Sequence, residues 1–335
     1  MQIRLIHLGM LAPEALHRAY AGLAEAQGEQ DAPILLLARS RAHLSLGATQ
    51  GPAAELDRVA CERLGIPVVL RGLGGGLVWV DPGQLNYFFI FPAAAGIRRA
   101  PDLFVRIAPW VIAMHAHFGL TVEARNGHDF WCQGRKIGGT GAATIGHSLV
   151  LGGSFILEAR WTSFVDCVAA PSEGFRAWLA EALQEGLCSW SQLLGRAVEP
   201  EAVLEACPAL LAGVGWAPTL PTRPREVESR AMAQADLEEV DWEQPVRRRV
   251  PAGIKLKAGT FLTERCWSDG HWLRVWTENG AFRRVACSVW PVEQGERLAG
   301  LRPDSARLHE RLRDIARSKA PLWSERLRET AVWTD

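Results

Sequence analysis

Lysine is almost missing from this chain. Arginine serves as the cation nearly everywhere along the 335 residues, and Lys136 is the only lysine before Lys255. Net charge is missing as well: 37 basic residues face 37 acidic ones, so bulk electrostatics gives no support to a role with nucleic acid or at an anionic membrane surface. The opening "MQIRLIHLGMLAPEALHRAY" lacks an unbroken apolar run, because Arg4, His7, Glu14 and Arg18 interrupt it. It fits neither a secretory segment nor a spanning helix, and the expected location is the cytoplasm. No C-x-x-C pair exists. The seven cysteines, Cys61, Cys132, Cys167, Cys188, Cys207, Cys266 and Cys287, stand singly and in odd number, which reads as reduced and mostly buried thiols. No histidine or cysteine spacing proposes a metal site; His115 and His117, at i, i+2 of a predicted helix, cannot share one face.

What is present is an ordinary globular composition, 48% hydrophobic and 22% charged, in a chain long enough for a large domain and a small one. "APEALHRAYAGLAEAQ" has helical spacing and precedes the strand-length run "PILLLAR"; "AAELDRVACERLG" and "PVVLR" repeat that order. "RGLGGG", "LVWVD" and "LNYFFIFP" read as glycine loop, strand and strand, and "PDLFVRIAPWVIAMHAHFG" as a helix that Pro109 should kink. "HDFWCQ" and "HSLVLGGSFILEA" read as strands on either side of a loop that carries Lys136, and residues 172–215 as mostly helical. The pattern predicts an α+β fold, a mixed sheet with flanking helices. Residues 216–249, rich in proline and charge with at most one short helix, separate a domain at 1–215 from a small one at 250–335. There the Asp269-Gly270 and Asn279-Gly280 turns predict an antiparallel sheet, closed by one or two amphipathic helices.

Two stretches carry candidate chemistry. In "RGLGGGLVWVD" the glycines Gly74, Gly75 and Gly76 weaken any strand, so either a bulge or hairpin requires them or they bring backbone close to a ligand. A strand rather than a helix follows, and neither the G-x-G-x-x-G spacing nor a Gly-Lys-Ser/Thr ending is present. In "QGRKIGGTGA" Lys136 is ringed by Gly134, Gly138, Gly139 and Gly141. A compact ammonium on a flexible stem can meet an acyl oxygen and a phosphate oxygen together, and glycines let backbone N–H groups converge on an anion. Chance retention at a surface turn is the bland alternative. Cys132 as a nucleophile is the weakest candidate, a buried structural thiol being the base case.

The order of these motifs, "VVLRGLGGGLVWVDPGQLNYFFIFP" and then "HDFWCQGRKIGGTGA" with the apolar strand "HSLVLGGSFILE" behind it, resembles the lipoate-protein ligases and their octanoyltransferase relatives, within the biotin/lipoate ligase superfamily. The resemblance covers roughly residues 1–200; "IKLKAGTFL" and "LRVWTENGAFRRVACSVW" are weakly similar to the ligases' accessory domain. It implies a biotin/lipoate ligase-type mixed sheet with a small C-terminal α+β domain. Lys136 falls at the essential lysine position, with Arg71, Gly74, Gly75 and Gly76 in the acyl- and phosphate-binding loop. Asp81, Asn86 and Asp129 lie beside that loop, and Gly138, Gly139 and Thr140 follow the lysine. No residue is implied as a dedicated metal ligand. The implied reaction uses ATP and Mg²⁺ to turn lipoate or octanoate into an acyl adenylate, and a lysine of a lipoyl-domain acceptor protein then takes the acyl group. An ATP-independent acyltransferase and a catalytically silent module that binds lipoyl domains are the alternatives. Several positions depart from the family pattern: Leu70 for a second arginine, Leu73 for serine or threonine, Val80 for histidine, His128 for asparagine, and Gly146-His147 for His-Gly. Each substitution removes or moves a hydrogen-bonding group.

Overall fold

The computed structural model describes residues 1–243, 250 and 253–332. The strands, in chain order, are β1 (Gln2–Leu11), β2 (Ile34–Ser40), β3 (His43–Gly47), β4 (Val68–Arg71), β5 (Val78–Val80), β6 (Gln84–Pro92), β7 (Glu123–Arg125), β8 (Asp129–Cys132), β9 (Arg135–Ile145), β10 (Ser148–Ile156) and β11 (Ala217–Pro218). A second group follows: β12 (Gly253–Lys257), β13 (Thr260–Cys266), β14 (Trp272–Glu278) and β15 (Ala281–Cys287). By contacts the chain divides into two compact units. One comprises Met1–Pro52, Arg58–Cys167 and the described residues from Leu187 to 243; the other comprises Ala53–Asp57, Val168–Gly186 and the described residues beyond 249.

The first unit is built on an eight-stranded sheet in the order β11-β1-β2-β6-β10-β9-β8-β7. β1 runs parallel to β2, as the helix Pro13–Ala26 between them requires, and from β2 onward every pairing is antiparallel. β6 shows why the sheet has helices on both faces. Alternation sends Leu85, Tyr87, Phe89 and Phe91 to a core shared with the helix Ala100–His117, and Phe88 and Ile90 to a second core shared with Leu16, Tyr20 and Leu23 of the helix Pro13–Ala26. A strand apolar at nearly every position is therefore buried twice. The helix Ala100–His117 runs on through Pro109. A smaller sheet, β4-β3-β5, carries the triple-glycine segment between β4 and β5.

Several sequence expectations change. The Lys136 stretch is not a loop: residues 135–145 form an eleven-residue strand, because each side of β9 finds a hydrogen-bonding partner, β8 on one edge and β10 on the other. The glycines there serve close approach between elements rather than a turn. "AAELDRVACERLG" is two short helices, Pro52–Glu55 and Arg58–Leu64. The described part of the stretch read as a linker packs within the first unit: its helix Glu226–Gln234 lies so close to Gly22 that a Cβ there would sit 2.4 Å from the Met232 nitrogen. Glu228 of that helix is fully buried and receives both terminal nitrogens of Arg4. Residues 244–249 of the proposed linker lie outside the described residues.

In the second unit β12-β13-β14-β15 form the expected antiparallel sheet, with Gly270 and both Asn279 and Gly280 at positive φ in the hairpin turns. The helices Ala306–Ala316 and Ala320–Thr330 cover one face through Leu308, Leu312, Trp323 and Leu327. Glu173–Gly186, which the sequence groups with the first domain, packs here. Arg274 reaches from β14 to Glu264 and to the hydroxyl of Ser172.

Candidate functional site

Lys136 is the second residue of β9. Its backbone is fixed on both sides, paired to Trp131 of β8 and accepting a hydrogen bond from the Cys188 N–H at 3.0 Å. Its side chain turns along the strand so that Nζ lies 2.7 Å from Oδ1 of Asp129, whose carboxylate is 2% exposed against 26% for the lysine. The pair is thus a buried anion under a reachable cation. It is a close ionic contact without hydrogen-bond alignment, since Oδ1 has no aligned donor. His128 stands half exposed at the rim, its Nε2 3.9 Å from the other carboxylate oxygen.

The glycines of β9 make room for this arrangement. A Cβ on Gly139 would fall 2.9 Å from both Cε and Nζ of Lys136 and 3.2 Å from Oδ1 of Asp129. A Cβ on Gly141, on the same face of the strand, would fall 2.4 Å from the carbonyl oxygen of Gly74, whose own N–H donates to the Ala142 carbonyl at 3.2 Å. One strand face therefore holds the lysine at residue 139 and the triple-glycine loop at residue 141. From the other side Gly47 of β3 presses the loop, with a hypothetical Cβ 2.0 Å from the Gly75 oxygen; Gly75 has φ +108°, while Gly76 borders open space.

Arg71 is buried, and its donors are occupied by that loop and by β3. Nη1 donates to the Ser45 carbonyl at 2.6 Å, and Nη2 to the carbonyls of Gly76 at 2.6 Å and Gly74 at 3.2 Å. Burial pulls the guanidinium down to about 10. Here Arg71 shapes the loop. Asp81 is likewise a turn-builder: its carboxylate accepts from Trp79 Nε1 at 2.9 Å and from the Gly83 N–H at 2.8 Å, and burial raises its pKa despite those two bonds. Asn86, buried on β6, donates to the Ala38 carbonyl at 3.3 Å. Thr140 donates from Oγ1 to the His128 carbonyl at 3.1 Å and so ties the Asp129 turn to β9; Gly138 lies against Phe130 and the Ser154 carbonyl. The structure therefore brings together Lys136, Asp129, Gly139 and Gly74–Gly76, with Arg71 behind the loop. Asp81 and Asn86 hold the framework.

Three of the departures from the family pattern are apolar and buried: Leu73 and Val80 join the core with Tyr20, Phe88 and Val150, and Leu70 is 8% exposed. Cys132 is buried and its thiol is pushed up by that burial, the opposite of an activated nucleophile. His115 is a core residue, its Nδ1 against the Val111 carbonyl at 2.7 Å and its pKa lowered by burial to about 4. Sequence reasoning missed Ser45 and Gly47, which act through backbone or through an absent side chain and carry no motif.

No helix among the described residues is long and apolar enough to cross a membrane. The model of the lipoyl protein ligase A/B catalytic domain matches residues 13–212. A lipoate–protein ligase of Streptococcus pyogenes is 31% identical over 115 residues, 34% of this chain and 32% of that protein; the chain spans about a third of the length of the curated relatives it matches. Among solved structures, a bipartite lipoate protein ligase of Thermoplasma acidophilum superposes with a TM-score of 0.63 at 19% identity, covering 70% of this chain and 91% of that one. A lipoate-protein ligase A bound with ATP gives 0.60 at 17%, over 70% and 94%. At such identities these likenesses show a shared fold. With the catalytic-domain model spanning residues 13–212 of the 335, the chain belongs to the lipoyl protein ligase A/B catalytic domain family.

Proposed function

We propose that the protein is a lipoate–protein ligase that activates lipoate or octanoate with ATP and passes the acyl group to a lysine of a lipoyl-domain protein. The observation that carries this reading is the reachable Lys136 ammonium, set over buried Asp129 on the strand face that also holds the triple-glycine loop. A carboxylate does not acylate an amine at neutral pH. In the first step a carboxylate oxygen of the acid bonds to the α-phosphorus of ATP and the bond to pyrophosphate breaks. In the second, the acceptor amine attacks the acyl carbonyl, AMP departs with the electron pair, and the amine loses a proton. Negative charge develops on phosphate and carbonyl oxygens in both steps. An ammonium beside them, in a site of low dielectric, stabilises it. The backbone of Lys136 is held by β8 and Cys188 while its stem stays flexible, which suits a cation that must follow charge from one step to the next.

Among the described residues no group of three or more His, Cys, Asp or Glu side chains gathers as a metal site. Mg²⁺ would then enter with the nucleotide, held chiefly by its phosphates, and would supply further charge neutralisation. We assign catalysis to the first unit and an accessory role to the second, and place the reaction in the cytoplasm. The buried state of six of the seven cysteines suits a reducing compartment. The relatives support the substrates by their own names: one solved neighbour holds ATP and another holds lipoic acid. The ATP-independent transferase is disfavoured by the buried, raised thiol of Cys132. The silent binding module is favoured by the apolar fill at Leu73 and Val80.

Incubation with lipoate, ATP and a lipoyl-domain acceptor separates the three. Pyrophosphate release with an acceptor mass gain is the ligase result. Mass gain from an acylated carrier without ATP is the transferase result, and acceptor binding with neither is the module result.

A further inference from the structure

Along a regular strand the side chains alternate between the two faces of the sheet, so residues 139, 137 and 135 of β9 would share one face and residues 138 and 136 the other. β9 breaks that rule beside its lysine. Asp129 is paired with Gly139 and Phe130 with Gly138, but Trp131 is paired with Lys136, which leaves Ile137 as an extra residue in the ladder, a one-residue β-bulge. The faces shift with it. Gly138 lies against Phe130, Ile137 is fully buried in the same aromatic core as Phe130, and Lys136 goes to the opposite face with Asp129 and Gly139. In a flush ladder of the same sequence Ile137 would stand opposite Trp131 on the Asp129 face, and the Lys136 side chain would enter the core.

Two features hold the bulge. Ile137 belongs to the core that contains Phe104, Phe130 and Cys132. The Lys136 carbonyl is fixed from the edge of β9 that β10 leaves open: the β10 pairing ends at Thr140, and Leu187 forms a parallel bridge with Lys136 beyond it. Cys188 puts two donors on that one oxygen, its N–H at 3.0 Å and its thiol at 3.7 Å. The thiol is a weak donor, so the N–H carries the clamp. The clamp is itself anchored. Ser189 and Gln192 cap the helix Trp190–Leu194 reciprocally, and the Ser191 N–H donates to the Leu157 carbonyl at 3.0 Å.

We propose that this bulge, clamped by Cys188, aims the Lys136 ammonium at Asp129, and that Ile137 and Cys188 are positioning residues for acyl transfer. Both act through the backbone of Lys136. The register delivers the stem to the Asp129 face, and a clamp on the carbonyl leaves the side chain beyond Cβ free to turn along the strand. The catalytic consequence rests on the ligase reading; the aim of the side chain does not.

Two variants of the full chain test it. In the exchanged variant, Lys136→Ile together with Ile137→Lys, a flush ladder carries the moved ammonium onto the Asp129 face and keeps pyrophosphate release. The clamped bulge sends it into the core, so release should fall by about a hundredfold, with a lower thermal midpoint or no stable fold. Limiting acetic anhydride, read by peptide mass against the exposed Lys319, should modify the moved amine more slowly than it modifies Lys136 in the wild type. Cys188→Pro, which removes the N–H, should raise the acetylation of Lys136 by about tenfold, the factor of one ordinary hydrogen bond. It should lower kcat by a similar factor, with a smaller change in KM for ATP. Cys188→Ser, which keeps the N–H and a hydroxyl donor, should restore both. An active exchanged variant, or a moved amine that reacts as fast as Lys136, overturns the bulge. Unchanged acetylation in a folded Cys188→Pro overturns the clamp. If that variant does not fold, wild-type amide exchange at Cys188 decides: exchange at the rate of an exposed amide overturns the clamp, and protection like that of the interior strands upholds it. Faster acetylation with unchanged kcat overturns the part in positioning. If the wild type releases no pyrophosphate, the ligase reading is what fails, and acetylation still decides the aim of the side chain.

Discussion

At the residue scale the account turns on how little space Lys136 has. Its ammonium reaches Asp129 only because residue 139 has no Cβ; a methyl group there would meet Cε and Nζ at 2.9 Å. Gly139→Ala should therefore displace the lysine side chain while leaving the strand paired. Steady-state pyrophosphate release should fall by about a hundredfold, with only a small shift in thermal midpoint. Equal turnover in that variant would mean that the pair with Asp129 has no part in the reaction. Lys136→Arg should be nearly as inactive, because a wide planar guanidinium cannot occupy the gap over Gly139 that a point-like ammonium fills; turnover close to that of the wild type would show that position 136 needs only a positive charge. The lysine was legible in the sequence because arginine is used everywhere around it. Its partner was legible only through the family resemblance, since nothing in the spacing of Asp129 and Lys136 announces a β-hairpin contact. Arg71 too came only with the family resemblance, and its actual bonds, to three carbonyls of its own loop and of β3, depend on folding that no local pattern encodes.

At the scale of elements, β9 joins the two motifs. The sequence there looks like a loop because glycine is common in loops and weakens strands. What overrides that preference is pairing on both edges, together with the need for the glycine loop to lie against the strand at Gly141. Gly141→Ala puts a carbon 2.4 Å from the Gly74 oxygen, backbone against backbone, and neither can yield as a flexible side chain would. Overpacking of this kind costs about 1–3 kcal/mol, measurable as a lower urea midpoint; the loop should move with it and activity should fall more than stability does. An unchanged midpoint would contradict the contact. The hairpins of the C-terminal sheet, by contrast, were readable residue by residue, because Asp-Gly and Asn-Gly turns need positive φ and advertise it. The helix Glu226–Gln234 was read as part of a linker. Its composition is charged and proline-flanked, and only the burial of Glu228 between Arg4 and Arg225, a tertiary fact, reveals it as part of the first unit.

At the scale of the whole molecule, the buried imidazoles give a pH dependence of stability whose sign is fixed. His17, His43 and His115 all have folded-state values lowered by burial, so between those values and about 6.5 the unfolded chain binds more protons than the folded one. Stability is then complete above about pH 6.5 and declines as pH falls, by up to about 1.4 kcal/mol per unit for each histidine. Urea unfolding between pH 7 and 5.5 should show a falling midpoint, and a flat profile would contradict the neutral burial of these rings. The alternation of strands and helices made the α+β class legible, and the mixed order of the large sheet came with the family resemblance. The grouping of Glu173–Gly186 with the C-terminal sheet was hidden, because Arg274, Glu264 and Ser172 come together from distant parts of the chain.

The most direct test of the central claim is the mass of a lipoyl-domain acceptor after incubation with lipoate, ATP and either the wild-type chain or Lys136→Ala, with pyrophosphate followed in parallel. A lipoyl mass gain and stoichiometric pyrophosphate with the wild type, both lost in a Lys136→Ala protein of unchanged circular dichroism, is the predicted result. A mass gain that survives the loss of that ammonium, or a wild type that consumes no ATP and modifies no acceptor, contradicts it.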